Sequence, residues 1–201
     1  MKKILPLFSY LFHPLFVPVL GTLLYLFLNE NYFVPEQKYL IVIQVSIVMV
    51  FIPICVFYLL YTLGKVNSVM LSEPSQRKIP LFLQSLLIVV LILKSITVTI
   101  IPELYYFFLA ALISTVAAFT LLFAEIKASL HMIGMSALIS FTIGLSIHNQ
   151  ENALYIISFL IAMSGIVAAS RLEMQAHTGK ELLIGFLIGI LPQCGLWYFW
   201  L

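Results

Sequence analysis

Between Tyr39 and Leu63 the chain reads YLIVIQVSIVMVFIPICVFYLLYTL, without one charged side chain. The run is longer than the roughly 20 residues a helix needs to cross the hydrocarbon core of a bilayer. Its apolar residues go all round instead of alternating, so it predicts a helix in lipid and not a barrel strand. Six further stretches have the same character: Ile4–Leu28, Leu81–Ile101, Leu104–Ala124, Leu130–Ile147, Ala153–Ala169 and Leu182–Trp200. The expected fold is therefore all-α, a polytopic membrane helix bundle of about seven transmembrane helices. It forms a single integral membrane domain over residues 1–201, with no internal repeat or low-complexity linker. The short Ile101-Pro102-Glu103 break predicts a tight antiparallel hairpin of the third and fourth helices.

Composition points the same way. The 201 residues are 63% hydrophobic and 9% charged, whereas a soluble domain is about one quarter charged. Soluble enzyme, nucleic-acid binder and disordered tail are excluded together. The net charge of +2 is too small to call for a polyanionic partner. All eight acidic residues are glutamate, and aspartate is absent. Met1-Lys2-Lys3 followed by an apolar run suggests a signal peptide, but the run is too long and lacks a small-residue cleavage site, so it predicts a retained span. Cys55 and Cys194 lie inside apolar runs and read as small buried hydrophobes.

Because each span switches sides, the side carrying the N-terminus also holds the connections after the second, fourth and sixth spans. That side receives Lys2, Lys3, Lys65, Arg77, Lys78, Lys127, Arg171 and Lys180. The other receives Lys38, with Lys94 able to snorkel towards it. The positive-inside rule then places the cation-rich side in the cytoplasm. The chain is expected in the cell (inner) membrane, with its N-terminus and any site on that side facing the cytoplasm.

Parity also collects the unusual polar residues on one face. Three connections meet there, around Ser72–Pro80, Glu125–His131 and Ser170–Glu181. In the third, His177 and Glu181 are four apart at the start of the last helix, a spacing that puts both on one helical face. A carboxylate so placed takes the proton of one imidazole nitrogen and leaves the other as nucleophile or base. Arg171 adds a planar fork suited to phosphoryl oxygens. Ser129 and His131 stand where the fifth span begins, beside backbone N–H groups that favour an anion. Two imidazoles flanked by cations suit phosphoryl transfer, one attacking and one protonating the leaving oxygen.

Ser170-Arg171, five residues, His177, three residues and Glu181 resemble the third signature of the type 2 phosphatidic acid phosphatase superfamily, S-R-x5-H-x3-D. Ser129-Leu130-His131 is similar to its second signature, P-S-G-H, and Gly185 and Gly189 fall where that family packs its last helix closely. The resemblance covers about residues 65–190. It implies a phosphohistidine on His177, oriented by Glu181, with His131 as general acid. It also implies that Arg171, Ser129 and Ser170 hold the phosphoryl group, with Arg77, Lys78 and Lys127 as further phosphate-binding cations. Such enzymes use no metal and no other cofactor; their partners are a lipid phosphate substrate and membrane lipids, with no nucleic acid. Glu181 stands where the family has aspartate, and Ala128 and Leu130 replace its proline and glycine. The first signature, K-x6-R-P, is not present; Arg77-Lys78-Ile79-Pro80 is its nearest equivalent.

Plainer readings exist for each group. Arg171, His177 and Glu181 could form an interfacial ion-pair network, Ser129 and His131 could cap a helix, and Arg77, Lys78 and Lys127 could anchor headgroups. His13, before Pro14, predicts a kinked helix with a bonded histidine in preference to a site. His148 reads as an interface residue on the opposite side, and Tyr105, Tyr106 and Trp197 as interfacial belt. The four histidines do not make two facing pairs for a haem. Two functions rival the lipid phosphatase: a catalytically degenerate relative binding anionic lipid headgroups, and a small-solute transporter. Against the transporter, the polar residues gather at one face and not at mid-membrane.

Overall fold

The computed structural model describes residues 5–29, 32–66 and 73–201. Lys2, Lys3 and Ser72, used above, lie outside those residues. Secondary structure among the described residues is helical, with no strand. Six helical segments are long and apolar enough to cross a membrane: Pro35–Thr62, Ser75–Lys94, Pro102–Ala124, Leu130–His148, Leu154–Glu173 and Gly179–Phe199.

The first expected span is broken in two, α1 (Leu5–Leu11) and α2 (Val17–Leu28). Pro14 removes a backbone donor and disfavours a helical His13 before it, which ends α1. Pro18 sits in the first turn of α2, where its missing N–H costs nothing. Neither piece is long enough to span alone. Together they still run from one end of the bundle to the other. Ser9 on α1 bonds Ser170 at one end, and the Leu28 carbonyl accepts from Asn149 Nδ2 at 3.2 Å at the other.

The second span is continuous but not uniform. Helix α3 (Pro35–Ser46) passes through a π turn at Ile47–Phe51 into α4 (Ile52–Thr62). Pro53 cannot donate to the carbonyl four residues back, and the widened turn is closed instead by the Ile52 N–H on the Ile47 carbonyl. Helix α5 covers Pro74–Lys94, seven residues earlier than the Leu81–Ile101 expected. Pro74 starts it at a position that tolerates proline, and the helix continues through Pro80. Arg77 and Lys78 thereby move from a connection onto the first turns of a helix. The hairpin to α6 (Pro102–Leu121) is made, but its connection is Ser95–Ile101 and not a three-residue break.

Helix α7 (Leu130–His148) is the centre of the bundle, with 78% of its span buried against 22–33% for the other five. Around it pack α2, α6, α8 (Leu154–Glu173) and α9 (Gly179–Leu196). Phe107 and Phe108 of α6 and Leu138, Phe141 and Leu145 of α7 are fully buried in the main apolar cluster. Lipid tails are as apolar as leucine, so close helix approach and van der Waals contact must hold such a bundle. Gly185 and Gly189 of α9 supply the approach. A Cβ on Gly185 would meet the Ser129 carbonyl oxygen at 2.5 Å, and one on Gly189 would strike Ser136 Oγ and the Ile133 carbonyl.

The end remote from the three polar connections is tied by His148 Nε2 and Glu103 Oε1 at 3.3 Å and by Tyr25 Oη donating to Glu103 Oε2 at 3.1 Å. Cys55 departs from its expectation. It is exposed on α4, and Cys194 is half-buried. Tyr105, Tyr106 and Trp197 are also half-buried, packed against the main cluster.

Candidate active site

The last helix begins with a reciprocal cap. Thr178 Oγ1 accepts the Glu181 N–H at 3.3 Å, and Glu181 Oε2 accepts the Thr178 N–H at 2.9 Å. His177 stands just before the cap rather than on the helix itself. The capped carboxylate still reaches it, with Nδ1 to Glu181 Oε2 at 3.1 Å. A carboxylate can only accept, so Nδ1 carries the proton and Nε2 keeps its lone pair. The His177 side chain is 1% exposed.

Three cations face this imidazole: Arg77 of α5, Lys127 before α7 and Arg171 of α8. Burial, then Arg77 and Arg171, push the His177 pKa down to about 4, against the Glu181 bond that favours the proton. Burial, with Arg77 next, also lowers that of Lys127. Neutral His177 is thus the resting form at physiological pH, nucleophilic at Nε2. Histidine NMR of the protein in detergent should show one imidazole titrating near 4, moving up in Arg77→Met. A His177 midpoint near the ordinary value of about 6.5 would contradict this electrostatic picture.

Arg171 is held at the end of α8 by a helix stop. The Gln175 N–H bonds the Leu172 carbonyl at 2.9 Å and the Ala176 N–H bonds the Arg171 carbonyl at 3.1 Å, with Gln175 at φ 50°. This paired closure needs one left-handed residue and turns the chain back towards His177. Arg171 is buried, 4% exposed as a residue. Its Nη1 meets only the Met174 thioether at 3.9 Å, and its Nε has no hydrogen-bond partner among the described residues. Ser129 Oγ is the second buried polar atom of the site without a partner among the described residues. A buried guanidinium without a carboxylate costs several kcal/mol (about 3–5 where a buried pair is broken) unless an anion is supplied.

Ser129 stands at the N-cap position of α7 without a side-chain cap bond, and its N–H donates to the Glu181 carbonyl at 3.1 Å, locking α7 to α9 beside the closely packed Gly185. Arg77 is buried and its Nη1 donates to the Ala128 carbonyl at 3.4 Å. Ala128 and Leu130, which depart from the resembled motif, pack with Leu81, Ala118, Leu122 and Ile133 in a small apolar cluster. His131 is buried, with Arg171, His13 and His177 facing it. Its Nε2 lies 3.0 Å from the Ser9 carbonyl, so this nitrogen donates and Nδ1 is the one left over.

Of the residues singled out from sequence, Arg77, Lys127, Ser129, His131, Arg171, His177 and Glu181 come together at the junction of α5, α7, α8 and α9. Lys78 does not join them: about 100° further round α5 than Arg77, its Nζ lies 4.6 Å over the Phe123 ring. Ser170 is occupied, its hydroxyl 2.7 Å from that of Ser9. Two residues of the broken first span, Ser9 and His13, belong to the cluster without having been assigned to it. The helix-breaking Pro14 was their signal, though it marked a kink and not a destination. Beside the same break lies an open apolar hollow of about 490 Å³, lined by Tyr10, Phe16, Leu20 and Val50, and Tyr10 also faces Arg171. Compared with protein-family models, curated proteins and solved structures, the chain has no match.

Proposed function

We propose that this chain is a membrane phosphatase or phosphotransferase acting on a lipid phosphate or diphosphate through a phosphohistidine on His177, without a metal. The observation that carries the reading is Arg171: a buried cation with no carboxylate partner among the described residues, acting on a neutral imidazole that keeps a lone pair for attack. Arg171, Arg77, Lys127 and the Ser129 hydroxyl would hold the phosphoryl oxygens. His177 Nε2 forms the P–N bond while the P–O bond to the lipid breaks, and His131 Nδ1 takes up the proton of the substrate's phosphate monoanion and passes it to the departing oxygen. Water then attacks phosphorus, His131 takes back a proton, and inorganic phosphate leaves as the P–N bond breaks. The resemblance to type 2 phosphatidic acid phosphatases, carried by Ser170-Arg171, His177 and Glu181, supports the same assignment. The apolar hollow at the first-span break would take the hydrocarbon tail, and the positive-inside reading would turn the site to the cytoplasm.

Purified protein should release phosphate from at least one member of a panel of lipid phosphates and diphosphates. Arg171→Ala should lower that rate by about 10²–10³-fold, the usual loss for one donor to a developing anion. Binding of the same lipids without any release would favour a headgroup-binding relative. Release unaffected by Arg171→Ala would remove the site from the reaction.

A further inference from the structure

We infer that the broken first span completes the site, with His13 as a third imidazole that donates a hydrogen bond to the bound phosphoryl group. The inference rests on the reading of the site as a phosphoryl pocket, and it adds a residue outside the region that the sequence resemblance covers. His13 Nδ1 accepts the Leu15 N–H at 3.2 Å, which fixes the neutral tautomer protonated at Nε2. That Nε2–H has no hydrogen-bond partner among the described residues. The ring stands edge-to-face with His131, centroids 5.4 Å apart at 83°, and Arg171 is the charged group that faces it. Helix α1 is itself docked on both catalytic motifs, through the Ser9 carbonyl on His131 and the Ser9 hydroxyl on Ser170.

The three imidazoles are held in three different ways. His177 gives its Nδ1–H to a carboxylate and keeps a basic Nε2. His131 gives its Nε2–H to a backbone carbonyl and keeps Nδ1 for a proton that must move. His13 accepts a backbone N–H and keeps a donor. A neutral N–H donor suits a phosphoryl oxygen because it stabilises the charge without competing for the transferred proton. Nucleophile, proton carrier and fixed donor are separated by the partner each ring finds. Proline at 14 is the local cause, since an unbroken helix would satisfy the Leu15 N–H with a carbonyl and free the His13 ring to rotate.

The test compares His13→Phe, His13→Gln and Arg171→Ala in the full-length protein, titrated with inorganic phosphate by ³¹P NMR and assayed for lipid-phosphate release. His13→Phe keeps a ring against His131 and loses the donor; His13→Gln keeps a donor. Phosphate affinity should fall about 10–100-fold in His13→Phe, the usual cost of a hydrogen bond to a charged group, and return to within a few-fold of wild type in His13→Gln. Wild-type affinity in His13→Phe, or equal losses in both variants, would overturn the assignment of His13. Phosphate binding unchanged in Arg171→Ala would overturn the underlying pocket instead, so the two failures are distinguishable.

Discussion

Replacing His177 by alanine is expected to lower lipid-phosphate hydrolysis by at least about 10⁴-fold, the scale on which loss of a covalent nucleophile acts. The expectation follows from geometry. With Nδ1 bound to Glu181 at 3.1 Å, Nε2 is the only lone pair on that ring, and Arg77, Arg171 and Lys127 are the cations that act on the ring. Among the described residues no second histidine stands in the same relation to a carboxylate at this end of the bundle. His131 is tied to a carbonyl, and its loss should be milder, about 10²–10⁴-fold, as for a proton donor whose place water can partly take. Initial rates of phosphate release under saturating substrate check both. Equal and small losses in the two variants would mean that neither imidazole is covalently involved.

The second large effect is expected far from any titrating group. Gly185→Ala introduces a Cβ at 2.5 Å from the Ser129 carbonyl oxygen and 3.0 Å from its nitrogen. Those are backbone atoms at the start of α7, so nothing can rotate away. The Ser129 N–H bond to the Glu181 carbonyl must stretch, and α7 must move off α9. That separates Ser129 and His131 from His177, and a displacement on the order of 1 Å costs about 10²-fold in rate. Overpacking adds about 1–3 kcal/mol of lost stability. Gly165→Ala on α8 is the control, because its Cβ would meet nothing within 4 Å. Catalytic rate and thermal midpoint should both fall in Gly185→Ala and hold in Gly165→Ala; a Gly185→Ala protein with the wild-type rate would show the helix contact to be dispensable.

How much of this is legible from residues alone depends on distance along the chain. Arg171, His177 and Glu181 lie in one short segment, so their spacing suffices to associate them, although His177 meets Glu181 through the helix cap and not through helix periodicity. Parity of spans then associates Arg77, Lys127, Ser129 and His131 with that segment, because alternate connections share a face. Which cations enter the pocket is not a matter of spacing. Arg77 and Lys78 are neighbours in sequence, and their separation into pocket and rim depends on α5 starting at Pro74, which moves both onto a helix. Proline 80 argues locally for a start at 81, yet the helix tolerates it in its second turn. His13 and Ser9 are harder still. Their proximity to His131 and Ser170 follows only from α1 packing against α8, a contact across 161 residues of chain that no local pattern encodes.

The central claim, that His177 carries the phosphoryl group, is tested most directly by trapping the intermediate. Protein purified in detergent would be quenched at alkaline pH during turnover of a ³²P-labelled lipid phosphate and its peptides examined by mass spectrometry. The account predicts a base-stable, acid-labile phosphate on the peptide containing His177, which is lost in His177→Ala. Label that persists in His177→Ala, or steady phosphate release with no label on that peptide, would contradict it.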